Sequence, residues 1–529
     1  MAITSRLPPH PFEGRSIQLV RDLSVDEQLY LYDKTRILKQ AVRSGRAGDE
    51  FRLDDPELGL YLMFLEDSTR TKESFRNAAK FHNLKLNDFQ ASSSSFANKK
   101  ESITDTVKML FGYSRRSIFV IRSRLEGLCR WLETAVGEYA SRLGMSRPSF
   151  INAGDGRHEH PTQEFLDQFS FLEQLSWDRG GIHLALVGDL FHGRTVHSKV
   201  DGLGIYGEVR VDLVSPPELS MPPHYLELMK MRGYEIRVFE SIDAYLDAGS
   251  VAPIWYFTRL QLERMGERLL DRAHAFRRSV TFRPDMLSRL PEGVRFYHPL
   301  PRHRVTPTIP PFLDRTPLNG WDEQSMNGYF TRVIEVAMLS GKVGRDFEGE
   351  TVRAPSYHEE FVHSATIRPK RKPESKVGIK PVENGIVIDH IGKGSESSDI
   401  WDHISSIRRV LGWTGISSQG VFRSHDDQRF KGIISLPETA EFDRAQLKML
   451  AAIAPGATVN MIRESSVVSK YRLSVPPRVY DLPGLTCKNE ECVSHESHHE
   501  PVVSEFIRRD EDSFVCHYCE RPHRFGDIW

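Results

Sequence analysis

From Leu60 to Arg302 the chain repeats one pattern: a short apolar run that ends in a polar cluster. The runs are "LYLMFLEDSTRT", "SIFVIRSR", "SFINAGDGRHEHPTQ", "IHLALVGDLFHGRT", "VRVDLVSP", "YEIRVFES", "APIWYFTR" and "VRFYHPLPR". Helix-compatible stretches separate most of them. Strands alternating with helices fold as α/β with mostly parallel sheets. Such sheets collect ligands beyond the carboxyl ends of their strands. The polar clusters fall at those ends, so position alone makes them candidate site residues.

The pattern stops near Gly341. A polar, Pro-containing segment follows and reads as a linker over residues 342–376. Beyond it, "GIVIDHI", "RFKGIISL" and "ATVNMIRE" read as strands of a small α+β domain. "SSDIWDHISSIRRVLG" and "FDRAQLKMLAAIA" read as its helices, and a cysteine-bearing tail comes last. A chain of 529 residues is expected to hold several cores.

Lys+Arg 71 against Asp+Glu 72 leaves a net charge of -1, without the basic excess of a bulk nucleic-acid binder. No run is long enough to span a bilayer. "MAITSRLPPHPFEGRS" has no signal-peptide core. The expectation is a cytoplasmic protein with neither nucleic acid nor membrane as partner.

In "EDSTRTKESF", Ser68 to Lys72 set three hydroxyls and two cations where a strand gives way to a helix. Helix N-termini present unpaired N–H groups and favour an anion. Ser68, Thr69 and Thr71 add hydroxyl donors, and Arg70 adds a fork matched to phosphate. An ordinary Ser/Thr cap with a solvated arginine is the alternative.

In the tail, Cys487 and Cys492 form C-x₄-C, and Cys516 and Cys519 form C-x₂-C. Four thiolates so spaced favour a closed structural zinc site over disulfides in a reducing compartment.

"STRT" and "HPTQ" (His160 to Gln163) resemble the two signatures of the aspartate and ornithine carbamoyltransferases. "GRT", "TRLQ" and "HPLPR" follow in that family's order. "TRLQLER" and the lack of a Ser-Met-Gly motif look like the aspartate branch. "VIDHI", "APGATVN", "CVSH" and "CHYCE" resemble the regulatory chain of the same enzyme. The resemblance therefore implies an aspartate carbamoyltransferase catalytic chain fused to its zinc-containing regulatory chain.

The implied fold is a two-lobed carbamoyltransferase with parallel sheets, then a small α+β nucleotide-binding domain and a small β zinc domain. The carbamoyl-phosphate lobe would span 1–165, completed by a helix at about 322–341, and the aspartate lobe 166–321. The regulatory nucleotide domain would span 377–475 and the zinc domain 476–529. The implied reaction moves the carbamoyl group of carbamoyl phosphate to the α-amine of L-aspartate, in pyrimidine biosynthesis.

The resemblance assigns roles to residues. Ser68, Thr69, Arg70 and Thr71 would bind the phosphate. Thr71, Arg122 and His160 would aim donors at the carbonyl oxygen, with Arg124 a rival for Arg122. Gln163 and the backbone of Pro299 and Leu300 would take the carbamoyl amide. Arg194, Thr195, Arg259 and Gln261 would hold aspartate. Ser95 and Lys99 would reach into a neighbouring subunit's site, which implies a homotrimer, with dimerised trimers a further option. Lys100 is the alternative to Lys99, because the family's Lys-Gly-Glu reads Lys-Lys-Glu here. Asp389, His390, Val467 and Lys470 would meet an effector nucleotide (ATP, CTP or UTP). Two other effector positions fall on Lys380 and near Leu436, away from the family's residue types. Structural zinc, one per chain on the four cysteines, is the cofactor implied. A non-catalytic relative and a zinc-ribbon nucleic-acid binder are the rival readings. The first would lack oxyanion donors, and the second would want a basic, aromatic tail.

Overall fold

Strand β1 (Leu58–Phe64) is buried at every position, as a parallel strand covered on both faces must be. With β2 (Lys85–Gln90), β3 (Arg116–Ser123) and β4 (Ser149–Asp155) it forms a parallel sheet in the order β2-β1-β3-β4. A second parallel sheet is built from β5 (Gly181–Val187), β6 (Glu208–Val214), β7 (Glu235–Phe239), β8 (Ile254–Phe257) and β9 (Arg295–Tyr297). Its order is β7-β6-β5-β8-β9. In both sheets the chain starts inside, winds one way and then returns to the other side. The loops after β1 and β3, and after β5 and β8, therefore diverge and open a crevice.

The structure is a computed structural model. It describes residues 10–90, 99–261, 272–353, 355–367, 379, 382–392, 394–412, 417–423, 429–439, 441–482, 484–510, 513–524 and 527–528. Two units separate in it, Met1–Arg353 and Ala354–Trp529.

In the first unit, helix α1 (Val25–Arg43) starts at a capping box. Ser24 Oγ accepts from the Glu27 amide, and the Glu27 carboxylate accepts from the Ser24 amide. Helices α2 (Thr69–Phe81) and α3 (Pro161–Gln174) each begin just beyond a strand end. Helix α4 (Trp321–Leu339) returns to pack on α1, α2 and α3. Lys39 of α1 donates to Glu173 of α3 and to Asn327 of α4, both at 2.6 Å.

In the second unit, β10 (Val362–Ser364), β11 (Gly385–Ile391), β12 (Ser418–Arg423), β13 (Phe430–Pro437), β14 (Thr458–Arg463) and β15 (Ser466–Leu473) make an antiparallel sheet. Its order is β10-β15-β14-β11-β13-β12. Helix α5 (Ser397–Val410) buries Ile400, Ile404 and Ile407, one helical face, in a core with Ile386, Ile388 and Ile434. Helix α6 (Arg444–Ile453) adds Leu450, Ala451 and Ile453. A separate antiparallel sheet of β16 (Arg478–Tyr480), β17 (Glu505–Arg508), β18 (Ser513–Cys516) and β19 (Pro522–Arg524) holds the tail.

The segment read as a linker, 342–376, is partly structured. The Phe347 ring lies 5.2 Å from Phe12 and 5.5 Å from Tyr30. Lys34 reaches Asp346 at 2.5 Å, and the Glu350 amide donates to Asp26. At its other part, Phe361 enters the core of the second unit and β10 pairs with β15. Val343 and Phe347 stand singly, and Phe361 with Val362 alone, among polar residues, so no periodicity betrays them.

A chain ending at Arg353 should therefore be more stable than one ending at Ser340. The difference should be about 2 kcal/mol, from half-burying Phe347 and Val343. Thermal melts of the two truncations check this; equal midpoints would mean the segment adds nothing.

Candidate active site

The Ser68 hydroxyl makes no cap bond to α2. That removes the ordinary-cap alternative and leaves the helix N-terminus facing the crevice. Thr71, one turn in, is buried, with its Oγ1 3.5 Å from His160 Nε2. His160 caps α3 and is fixed by its own amide, which donates to Ser198 Oγ at 2.9 Å. Arg122, at the end of β3, donates to the Ala153 carbonyl at 3.1 Å.

From the second sheet, Arg194 donates to the Gly156 carbonyl at 3.1 Å and to Glu66 at 3.0 Å. Glu66 also lies 3.4 Å from Arg122 Nε, so one carboxylate sits between two guanidinium groups. Gly154 has φ +108, and a Cβ there would stand 3.0 Å from both Arg122 Nη1 and Arg194 Nε. The glycine makes room for the arginine pair.

The ends of β5 and β8 are tied by Gln261 and by three residues of the polar clusters, Asp189, His192 and Thr258, to which the sequence assigned no individual role. The Asp189 amide donates to Thr258 Oγ1 at 2.9 Å. The Asp189 carboxylate takes the His192 amide at 2.9 Å and the Gln261 amide at 3.2 Å. Gln261 Nε2 donates to the His192 carbonyl at 2.9 Å. These bonds hold Arg259 and Gln261 toward the crevice.

One cleft of about 830 Å³ gathers these groups. It is lined by Ser68, Thr69, Arg70, Thr71, Arg122, His160, Gln163, Arg194, Thr195, Arg259, Gln261, Pro299 and Leu300. Arg302 and Arg304 add further cations, and His303 lines the same cleft. Lys99 and Lys100 are exposed and do not line it, and Ser95 lies outside the described residues.

Burial and crowding by like charge set the protonation states. Burial, then Arg122 and Arg194, hold His160 well below the usual imidazole range. Burial and Arg332 bring Arg70 down to about 10, still a cation at neutral pH. Burial, then Arg70, lowers His298 to about 3, and its Nδ1 accepts from the Leu300 amide at 2.7 Å. The cleft thus offers fixed cations and neutral imidazoles, a surface built for anions.

Comparison with known proteins agrees. The family described as aspartate/ornithine carbamoyltransferase, carbamoyl-P binding domain, matches residues 15–173. The regulatory chain's allosteric domain matches 377–474, and its metal binding domain matches 477–529. Protein PyrBI of Thermotoga maritima is 53% identical over 525 residues, 98% of this chain and 99% of that one. Protein PyrBI of Treponema denticola is 50% identical over 528 residues, 98% of each. This chain belongs to the aspartate carbamoyltransferase family. The crystal structure of aspartate transcarbamoylase from Trypanosoma cruzi with N-(phosphonacetyl)-L-aspartic acid superposes with a TM-score of 0.54 at 27% identity. It covers 63% of this chain and 98% of that one. The protein is an aspartate carbamoyltransferase catalytic region fused to an allosteric regulatory region, acting in pyrimidine biosynthesis.

The metal domain of this carbamoyltransferase fits zinc. The Sγ atoms of Cys487, Cys492, Cys516 and Cys519 all lie within 4.8 Å of one another, and the four are buried. Cys487–Cys519 and Cys492–Cys516 stand at 3.7 Å. Bonds of about 2.3 Å in a tetrahedron put sulfurs roughly 3.8 Å apart. The four thiolates would hold a closed structural zinc ion, tying the segment between β16 and β17 to the end of β18 in a domain too small to bury much core.

In the allosteric domain, Asp389 pairs with Lys431 at 2.9 Å. His390 Nδ1 lies 3.1 Å from Thr458 Oγ1. Lys470 stands opposite Asn460 on β14, and Val467 is exposed on β15. Leu436 is buried in the core, so no cation comes from there. Lys431 brings one instead, from the same strand. Lys380 lies outside the described residues.

The His160 ring should stay neutral through the pH range in which an ordinary imidazole titrates, near 6.5. Because the unfolded ring gains a proton that the folded ring refuses, its burial costs stability as pH falls through about 6.5. Ring ¹⁵N chemical shifts of His160 check the first point. A flatter acid limb of stability in His160→Gln checks the second. A ring that titrates near 6.5 would overturn this account of the site.

Proposed function

We propose that the cleft holds carbamoyl phosphate and L-aspartate side by side, with each group's role set by its charge. Ser68, Thr69, Arg70 and Thr71, at the α2 N-terminus, bind the phosphate. Thr71, Arg122 and neutral His160 donate to the carbonyl oxygen. Gln163 and the carbonyls of Pro299 and Leu300 accept from the carbamoyl amide. Arg194 and Arg259, with Thr195 and Gln261, take the two carboxylates of aspartate. The observation that carries this reading is the single cleft lined by residues from the crevices of both sheets.

The aspartate amine then attacks the carbonyl carbon. The C–O bond to phosphate breaks, phosphate keeps the electron pair, and the amine's proton ends on phosphate. The negative charge that develops on the carbonyl oxygen meets donors already in place, so little reorganisation is required. Arg70→Ala should lower turnover by on the order of 10²-fold, as loss of an oxyanion donor does. Phosphate release from carbamoyl phosphate and aspartate measures it. A folded variant with near-normal turnover would remove Arg70 from the site.

We further propose a cytoplasmic homotrimer in which Lys99, with Ser95, completes the neighbouring subunit's cleft. Lys99 is exposed, as a group that serves another chain would be. Hybrids of Lys99→Ala and His160→Ala chains should then recover activity that neither parent has. Absence of recovery after verified mixing would place the loop's action within its own subunit, and Lys100→Ala in the same experiment identifies the lysine. In the regulatory unit, Asp389, His390, Val467 and Lys470, joined by Lys431, are proposed to receive a nucleotide effector. The sheet face they share carries both cations and acceptors.

A further inference from the structure

Behind the cleft lies a buried cluster that the roles above leave unused. Lys199 is fully buried, and its Nζ donates to Glu164 Oε2 at 2.7 Å and to Asp167 Oδ2 at 2.9 Å. Asp167 Oδ1 in turn accepts from two primary amides, Gln163 Nε2 at 2.9 Å and Gln324 Nε2 at 2.6 Å. Gln324 Oε1 then accepts from the His298 amide at 2.9 Å. The His298 ring accepts from the Leu300 amide. Gln168 Nε2 holds the other Glu164 oxygen at 2.6 Å. A Cβ at Gly202 would collide with the Glu164 carboxylate, so that position is kept bare for it.

We propose that Lys199 is a positioning residue for carbamoyl recognition, fixing through Asp167 which face of the Gln163 amide the substrate meets. This rests on the reading that Gln163 accepts from the carbamoyl amide. An ionised carboxylate only accepts hydrogen bonds. Both Nε2 groups must therefore face Asp167, and both oxygens must face away. For Gln163 that turns Oε1 to the cleft, where an acceptor is needed. For Gln324 it turns Oε1 onto the backbone that leads to Pro299 and Leu300, the other acceptors. A neutral Asp167 could donate to an amide oxygen instead. Gln163 could then turn over and present NH₂ to NH₂. Lys199 opposes this by holding its ammonium against Asp167's other oxygen. Apolar side chains would fill the same space without burying three charges, so the charges serve direction more than packing.

The test uses the full chain with two ligands that differ at one group: carbamoyl phosphate, and acetyl phosphate, which carries methyl in place of NH₂. Binding of each is measured by calorimetry without aspartate. In Lys199→Met, carbamoyl phosphate should weaken at least tenfold while acetyl phosphate changes less than about twofold. Because Lys199→Met leaves two carboxylates facing each other, Lys199→Met/Glu164→Gln is the second variant and should show the same selective loss. Equal loss of both ligands, or loss of neither, in a folded variant overturns the role of Lys199. A native chain that binds the two ligands equally overturns the reading of Gln163, and this inference with it.

Discussion

Mutual repulsion among guanidinium groups governs the catalytic unit. Arg70, Arg122, Arg194 and Arg259 line one cleft, and Arg332 lies buried behind it. At about 4 Å and an effective dielectric near 20, two like charges repel by about 4 kcal/mol. The fold sustains this only with compensation. Glu66 stands between Arg122 and Arg194, carbonyls of Ala153 and Gly156 accept from the same pair, and Gly154 leaves space for them. Two anionic substrates complete the neutralisation. The parallel sheets place the arginines around one crevice, beyond the apolar core.

Much of this was legible in the sequence because it is local. A strand's apolar run, the hydroxyls that follow it and the helix after them lie within a dozen residues, so "LYLMFLEDSTRT" and "HPTQ" carry their own context. The groups that hold the site in place were not legible. Asp189, Thr258 and His192 tie β5 to β8 across roughly seventy residues of sequence, and each alone is an ordinary polar residue. Lys199, Gln324 and Lys431 belong to the same class. Their meaning comes from what tertiary packing sets beside them.

The same limit explains the linker. Composition marks 342–376 as polar, and most of it is. Stability comes from single aromatics, with Phe347 seated on Phe12 and Tyr30 and Phe361 inside the second unit's core. One large side chain in a polar segment has no period to detect, yet it buries as much apolar surface as several small ones. The cysteine tail is the opposite case. There the spacing C-x₄-C and C-x₂-C carries the geometry almost whole, because four ligands on one ion leave little freedom.

Charge and direction are supplied by different devices in this cleft. Coulomb attraction falls slowly with distance: about 4 kcal/mol at 4 Å becomes about 3 kcal/mol at 5 Å for the same dielectric. Arginines proposed to bind phosphate or carboxylate can therefore sit at the ends of helices and strands and still work after a small shift. A hydrogen bond to the carbamoyl amide has no such tolerance, since turning one side-chain amide over replaces an acceptor by a donor and converts attraction into repulsion. On the roles proposed above, the labour is divided accordingly. Arg70, Arg122 and Arg194 line the cleft from helix and strand ends, whereas Gln163 and Gln324 are pinned from behind by buried Asp167 and Lys199. A buried ion pair is a poor way to add stability. It is an effective way to fix the sense of an amide, because the carboxylate that Lys199 holds offers the amide only acceptors.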